Sequence, residues 1–265
     1  VHFGTTYDDT RAATIDAINA KARAEFPDMR VEEAYTSRIV ISRLAKRGVT
    51  RLNPRQALLK LAAEGYTHVF IQSTNVIDGI EAAALRAEAD YMVPFFKEVR
   101  VGRPLLYSVD DCLKVVSEIA SRHAAAAEGK GSVVLVGHGT HTPATAIYSQ
   151  VAYMFTATGH PRFHVATVEG YPTLDDVIAR LKAEKARSVL LVPFMFVAGD
   201  HARNDIDGEW RDALVKEGLT VSTALEGLGQ IPAIQDIYID HIRDGLRERP
   251  LSPVERKAAF LNENL

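Results

Sequence analysis

The chain has almost no cysteine: Cys112 is the single one in 265 residues. No intrachain disulfide can form and no thiolate-rich metal site exists, so any metal must be held by His, Asp or Glu. Long apolar runs are missing as well. Nothing approaches the roughly 18 residues a membrane helix needs, and no charged leader precedes an apolar stretch, so neither a membrane span nor a signal peptide is expected. The chain opens on Val1-His2-Phe3-Gly4 without an initiator Met, which reads as the tail of a first strand and leaves a removed leader open. An excess of charge of one sign is also lacking. The 31 basic and 34 acidic residues give a net charge of −3, which offers no electrostatic footprint for nucleic acid or an anionic membrane. The common phosphate and nucleophile loops are absent too: no Gly-x-Gly-x-x-Gly after a strand, no Walker loop and no Gly-x-Ser-x-Gly elbow. Ser73 stands at a strand end but has no evident paired base.

What the chain does have is alternation. Its 47% hydrophobic and 25% charged residues suit a globular protein with one large or two medium domains. Apolar runs predict strands at 1–3, 31–35, 67–72, 132–136, 163–168, 188–194 and 220–223. Between them lie helical segments at 8–26, 37–47, 54–64, from about 80, 108–127, 143–158, from 173, 202–217 and 231–248. Their starts carry Asp8-Asp9, Asn53-Pro54, Ser108 with Asp110-Asp111, and Thr173 with Asp175-Asp176, all helix-capping chemistry. Strands alternating with helices argue for an α/β fold with parallel sheets covered on both faces. The pattern restarts near 102–108. Two similar Rossmann-like halves facing a central cleft are therefore expected: residues 1–105, joined by the C-terminal helix 231–265, and residues 106–230 carrying the metal site.

The stretch Ser132-Val133-Val134-Leu135-Val136-Gly137-His138-Gly139-Thr140-His141 organises the second half. It predicts a buried strand with His138 lifted off its end between two glycines. Two further strands of that half also end in ligand-type residues, Glu169 and His201. In a parallel sheet these ends share one edge, where α/β proteins bind ligands. Two imidazoles and one carboxylate suit Zn²⁺, Co²⁺, Ni²⁺ or Fe²⁺ and leave coordination positions open. His141 competes with His138 but lacks the flanking glycines, and Asp200 is placed to orient His201. Glu81, after the 67–72 strand, faces the same cleft from the first half, or else serves as an acid at a helix N-terminus.

Phe3-Gly4-Thr5-Thr6, Gln72-Ser73 with Gly79-x-Glu81, Gly137-His138-Gly139-Thr140, Val168-Glu169-Gly170 and Val197-Ala198-Gly199-Asp200-His201-Ala202-Arg203-Asn204-Asp205 carry a resemblance. In this order the chain resembles the anaerobic cobalt chelatase family of the CbiK type. The resemblance implies a chelatase-like fold with a tetrapyrrole cleft between the halves. It also implies insertion of Co²⁺, with Fe²⁺ as an alternative, into sirohydrochlorin or precorrin-2 for cobalamin synthesis. No cofactor beyond the substrate metal is implied. The catalytic residues would be His138, His201 and Glu81, the metal ligands His138, Glu169 and His201, and the substrate contacts Gly4, Thr5, Gln72, Ser73 and Arg203. Arg11 and Arg38 are further candidates for the substrate carboxylates. A cytoplasmic homo-oligomer acting on a small tetrapyrrole and a divalent metal is expected. The chain departs from the family where relatives commonly have Gln-Ser-Leu-His: here it reads Gln72-Ser73-Thr74-Asn75, so that His has no counterpart. Ala82-Ala83-Ala84 after Glu81 is equally bare of groups for an extra cofactor.

The chemistry fits independently. Metalation removes two pyrrole protons while the ion sheds its ligands. A neutral His, with a pKa near 6.5, accepts a proton at cellular pH, and nitrogen and oxygen ligands surrender an ion more readily than thiolates. A ferrochelatase and a non-catalytic metal- or tetrapyrrole-binding protein are the alternatives.

Overall fold

The structure, a computed structural model, describes residues 1–200, 202–248, 254, 255, 257, 258 and 261. Its strands fall into two parallel sheets. The first pairs β1 (His68–Ile71) with β2 (Glu98–Val101). The second comprises β3 (Gly131–Gly139), β4 (Phe163–Glu169), β5 (Ser188–Pro193) and β6 (Thr220–Thr223), in the order β4-β3-β5-β6. Both faces of β3 are covered, which explains its unbroken apolar run. Val133 and Leu135 enter a core with Val115, Ile119 and Phe155, while Val134 and Val136 enter another with Leu181, Ile206 and Trp210.

The first half repeats that strand order in reduced form. His2 bridges Tyr35 in parallel, its N–H donating to the Ala34 carbonyl at 2.9 Å. On the other side, Thr74 N–H donates to the Val1 carbonyl at 2.9 Å. The order is thus 35, 2, β1, β2, which is second, first, third, fourth in the chain, as in β4-β3-β5-β6. The strand expected over 31–35 shrinks to this single bridge, because a ladder needs a partner and only Val1–Phe3 run beside it.

Helix boundaries follow the capping residues. Ser37 Oγ accepts from Val40 N–H at 3.3 Å to open Arg38–Lys46, and reciprocal capping boxes open Pro54–Ala63, Val109–Arg122 and Leu174–Ala183. Two stretches expected as plain α-helix are π-helical, Ala12–Asp16 and Ala202–Trp210. In the second, the buried Ala202, Ile206 and Trp210 recur every four residues. That spacing exceeds the 3.6 residues of an α turn, and wider turns keep all three on the core.

The helix Pro232–Arg247 closes the molecule. Tyr238 Oη donates to the Thr74 and Asn75 carbonyls at 3.0 and 3.2 Å, and His241 Nε2 lies 3.2 Å from Asp111 of helix Val109–Arg122. It therefore packs on both halves. No helix among the described residues is long and apolar enough to cross a membrane.

Candidate active site

β3 runs on through Gly139, so His138 is the penultimate residue of the strand rather than a residue lifted off it. Gly139 is required there. Its φ is +89°, and a Cβ would stand 1.5 Å from the Glu169 carbonyl oxygen. The same device recurs at Gly4 in the first half, with φ +99° and a Cβ position 2.5 Å from the Tyr35 ring. His138 is half-buried, with Nδ1 3.3 Å from the Gly139 carbonyl. On the opposite face of the strand lies Tyr148, 2% exposed, whose Oη accepts from Gly139 N–H at 3.3 Å. Burial pushes the Tyr148 phenol up to about 12; the Gly139 hydrogen bond opposes this and the negative charge of Glu81 adds to it. Glu81, the second residue of helix Ile80–Met92, therefore lies within electrostatic reach of the Tyr148 phenol, from the opposite half.

Glu169 ends β4 and pairs with Gly139 across the ladder, exposed to solvent. It thus shares an edge with His138 but sits one register position off it. Side chains alternate along a strand. His138 continues the face of Val134 and Val136, toward helix 202–216, whereas Glu169 continues the face of Val165 toward helix Ala146–Ala157. His201 lies outside the described residues. Among the described residues, no three His, Cys, Asp or Glu side chains are grouped to hold an ion.

The segment around His201 is described on both sides. Asp200 Oδ1 accepts from Tyr7 Oη at 2.9 Å, and Asp200 Oδ2 pairs with Arg43 at 2.7 Å. The hydrogen bond to Asp200 holds the Tyr7 phenol above its usual value. Arg203 lies 4.3 Å over the Tyr7 ring and 3.5 Å from Asp9. Thr5 is buried, its Oγ1 accepting from Tyr7 N–H at 3.2 Å and facing Gly199. Gly4, Thr5 and Arg203 are thereby brought to one meeting point of the halves.

The remaining expected contacts are not brought there. Gln72 Nε2 donates to the Ser73 and Arg103 carbonyls at 2.8 and 2.7 Å, so both amide hydrogens serve the first half's own backbone. Ser73 is 4% exposed. Arg11 pairs with Asp8 and Asp16 at 3.0 and 3.2 Å, and Arg38 is exposed at the start of its helix. A cavity of about 480 Å³ lies elsewhere, in the first half, lined by apolar groups such as Ile18, Phe26, Leu58 and Ile71; its wall includes none of the candidate residues except Gln72. Sequence reasoning missed Tyr7, Arg43 and Tyr148. Tyr148 carries a faint signal as a large residue in the first turn of the helix after Gly-His-Gly; Tyr7 and Arg43 carry none, since their partners are 193 and 157 residues away.

Comparison with known proteins adds the family dimension. The family described as "Cobalt chelatase (CbiK)" matches residues 1–247. The chain is 36% identical over 251 residues to a sirohydrochlorin cobaltochelatase of Salmonella typhimurium, covering 93% of this chain and 94% of that protein. It is 31% identical over 236 residues to the sirohydrochlorin cobaltochelatase CbiKC of Nitratidesulfovibrio vulgaris, covering 87% and 83%. Among solved structures, SirB from Bacillus subtilis with Fe³⁺ superposes at a TM-score of 0.66 with 14% identity, over 92% of both chains. The sirohydrochlorin chelatase SirB from Bacillus subtilis subspecies spizizenii, in complex with cobalt, gives 0.61 with 14% identity over 93% of both chains. These two likenesses establish the chelatase-like α/β fold.

Proposed function

The chain belongs to the cobalt chelatase (CbiK) family, and from that premise we propose that it inserts Co²⁺ into sirohydrochlorin on the way to cobalamin. The observation that carries this reading is the end of β3, where Tyr148 holds the backbone of Gly139 beside His138 and the charge of Glu81 reaches that phenol from the other half. The reading draws on the names of two relatives above 30% identity, of which this chain covers 94% and 83%.

The chemistry assigns the roles. His138 and His201 supply imidazole nitrogens to the incoming ion, and a carboxylate completes the donor set. Sequence spacing nominates Glu169 for that carboxylate, with Glu81 as the second candidate; strand alternation does not choose between them, because Tyr148, the group on which Glu81 acts, lies on the same face of the sheet as Glu169. A carboxylate beside the macrocycle also takes up pyrrole protons as the ion enters. Tyr148 stays protonated throughout, since its phenol is pushed up to about 12. Its oxygen accepts from Gly139 N–H and so fixes the backbone beside His138. Gly4, Thr5 and Arg203 border the cleft; Gln72 acts on it through the Ser73 and Arg103 carbonyls that its amide holds. We further propose a cytoplasmic homo-oligomer, self-association being favoured by the exposed Tyr91, Val93 and Phe95.

The test mixes the protein with sirohydrochlorin and Co²⁺, or Fe²⁺ in a parallel series, and follows the visible spectrum. Metalation well above the protein-free rate is expected, and His138→Ala and His201→Ala each abolish it with the circular dichroism spectrum unchanged. Tight binding without turnover would make the protein a carrier. Preference for Fe²⁺ would reassign the metal.

A further inference from the structure

We propose that Tyr7, together with Arg43, is a positioning residue that the first half contributes to hold His201 in the second. This rests on the reading of His201 as a metal-handling residue. The evidence is the placement of its neighbours in the chain. On the N-terminal side, Asp200 receives the Tyr7 hydroxyl at 2.9 Å and the Arg43 guanidinium at 2.7 Å. On the C-terminal side, the Arg203 guanidinium lies 4.3 Å over the face of the same Tyr7 ring, and its Nη2 reaches Asp9 at 3.5 Å. One aromatic side chain thus grips the segment on both sides of His201, with its oxygen and with its ring face.

The segment needs such a grip. Gly199 leaves its backbone permissive, and beyond one α-type bond, Arg203 N–H to the Gly199 carbonyl at 3.2 Å, the chain continues as a π stretch, Ala202–Trp210. π-helical turns are rare and are found frequently at functional sites. Buried Ala198 and Ala202 anchor the ends of the segment on the core, but neither is polar and neither fixes its rotation. A ligand or base must be held within about 0.5 Å of its working geometry. Tyr7 supplies the lateral constraint from across the divide, so the halves must be correctly docked before His201 is in register.

The groups in this clamp are exposed: the Arg43 and Asp200 side chains are 55% and 46% accessible. Exposed ion pairs add little to stability, so loosening the clamp should appear in the chemistry and not in the melting temperature. The competing use of these arginines is to bind substrate carboxylates directly. The clamp predicts a different kinetic signature, because its guanidinium groups are already committed to Asp200, Asp9 and the Tyr7 face.

The experiment measures Co²⁺ insertion into sirohydrochlorin, the absorption spectrum of protein-bound Co²⁺, and thermal melting, for Tyr7→Phe, Tyr7→Leu, Arg43→Met, Arg43→Lys and, as control, His201→Ala. Tyr7→Phe, which loses only the hydroxyl, should lower kcat about tenfold, and Tyr7→Leu about a hundredfold, the order expected for a misplacement near 1 Å. KM for sirohydrochlorin and the melting temperature should hold. The Co²⁺ spectrum of Tyr7→Leu should move toward that of His201→Ala, and Arg43→Lys should recover most of what Arg43→Met loses. A raised KM with unchanged kcat would overturn the clamp and make these residues substrate contacts. Unchanged kcat and Co²⁺ spectrum in Tyr7→Leu, with His201→Ala inactive, would overturn it equally. If Tyr7→Leu fails to fold, Tyr7→Phe decides alone. Full activity in His201→Ala would instead remove the reading on which the proposal rests.

Discussion

Glu81 and Glu169 make different demands on a kinetic experiment. Glu81 raises the phenol of Tyr148, which accepts a hydrogen bond from the backbone next to His138, while Glu169 pairs in register with Gly139 and emerges exposed. If Glu81 acts on the macrocycle alone, Glu81→Gln lowers kcat by about 10²- to 10⁴-fold with Co²⁺ affinity unchanged, the range for a lost general base. If it ligates the ion, affinity measured by calorimetry falls as well. Sequence spacing makes Glu169 the ligand, so we expect the first pattern for Glu81→Gln and a loss of Co²⁺ affinity for Glu169→Gln; the opposite pair of results would give the ligand role to Glu81. At this scale the sequence was partly legible. His138 stood out because two glycines bracket it, and one of them is forced to φ +89° beside the Glu169 carbonyl. The partners of Asp200 were not legible, because nothing local in the chain marks a hydrogen bond made across 193 residues.

Helices were read well wherever a capping residue announced them and poorly where packing chose the turn. Ser108 and Asp111 form a reciprocal capping box on Val109–Arg122: Asp111 N–H donates to Ser108 Oγ at 3.1 Å, and Ser108 N–H donates to Asp111 Oδ2 at 3.0 Å. No periodicity foretold the π stretch at Ala202–Trp210, because it depends on which residues meet the core. The box also ties the helix to the closing helix, since the same Asp111 oxygen lies 3.2 Å from His241. Burial alone would raise the Asp111 carboxyl; the Ser108 hydroxyl and backbone bonds and nearby His241 outweigh it and hold it below its usual value. A carboxyl depressed in the folded state stabilises the fold above its unfolded pKa, near 3.9. That contribution is lost as the pH falls below it and through the folded value. Ser108→Ala should therefore cost about 1 kcal/mol at pH 7, and its deficit against the parent should shrink in melts taken below about pH 3.9. A deficit that stays constant down to pH 2.5 would show that Asp111 is not the group through which Ser108 acts.

The two halves match more closely in space than in sequence. Each begins a first strand that ends in a positive-φ glycine followed by threonine, Gly4-Thr5 and Gly139-Thr140. Thr74 N–H to the Val1 carbonyl corresponds to Phe194 N–H to the Val136 carbonyl, and Ala83 N–H to Gly79 corresponds to Arg203 N–H to Gly199. Glu81 and His201 thus hold equivalent places in the chain, one contributed by each half. Only Gly-x-x-Ala survives of that correspondence in the residues themselves, too little to see without the hydrogen bonds. We propose 105/106 as the divide of this topology, but the core does not respect it. Ile15, Ile18 and Tyr35 share one cluster with Val133, Leu135 and Phe194, and with Ile234 and Tyr238 of the closing helix. Halves that share a core and are pinned by a third element should unfold together. Calorimetry should give one transition with the calorimetric and van't Hoff enthalpies equal. Tyr238→Phe removes the hydroxyl that donates to Thr74 and Asn75, so it should cost about 0.5–1.5 kcal/mol. That corresponds to a melting temperature lower by about 1–6 °C for a chain of this size, with the peak shifted whole. A second peak, in the parent or in Tyr238→Phe, would mean that the halves are independently stable, and the docking that the Tyr7 clamp requires would then be a separate equilibrium that substrate binding has to drive.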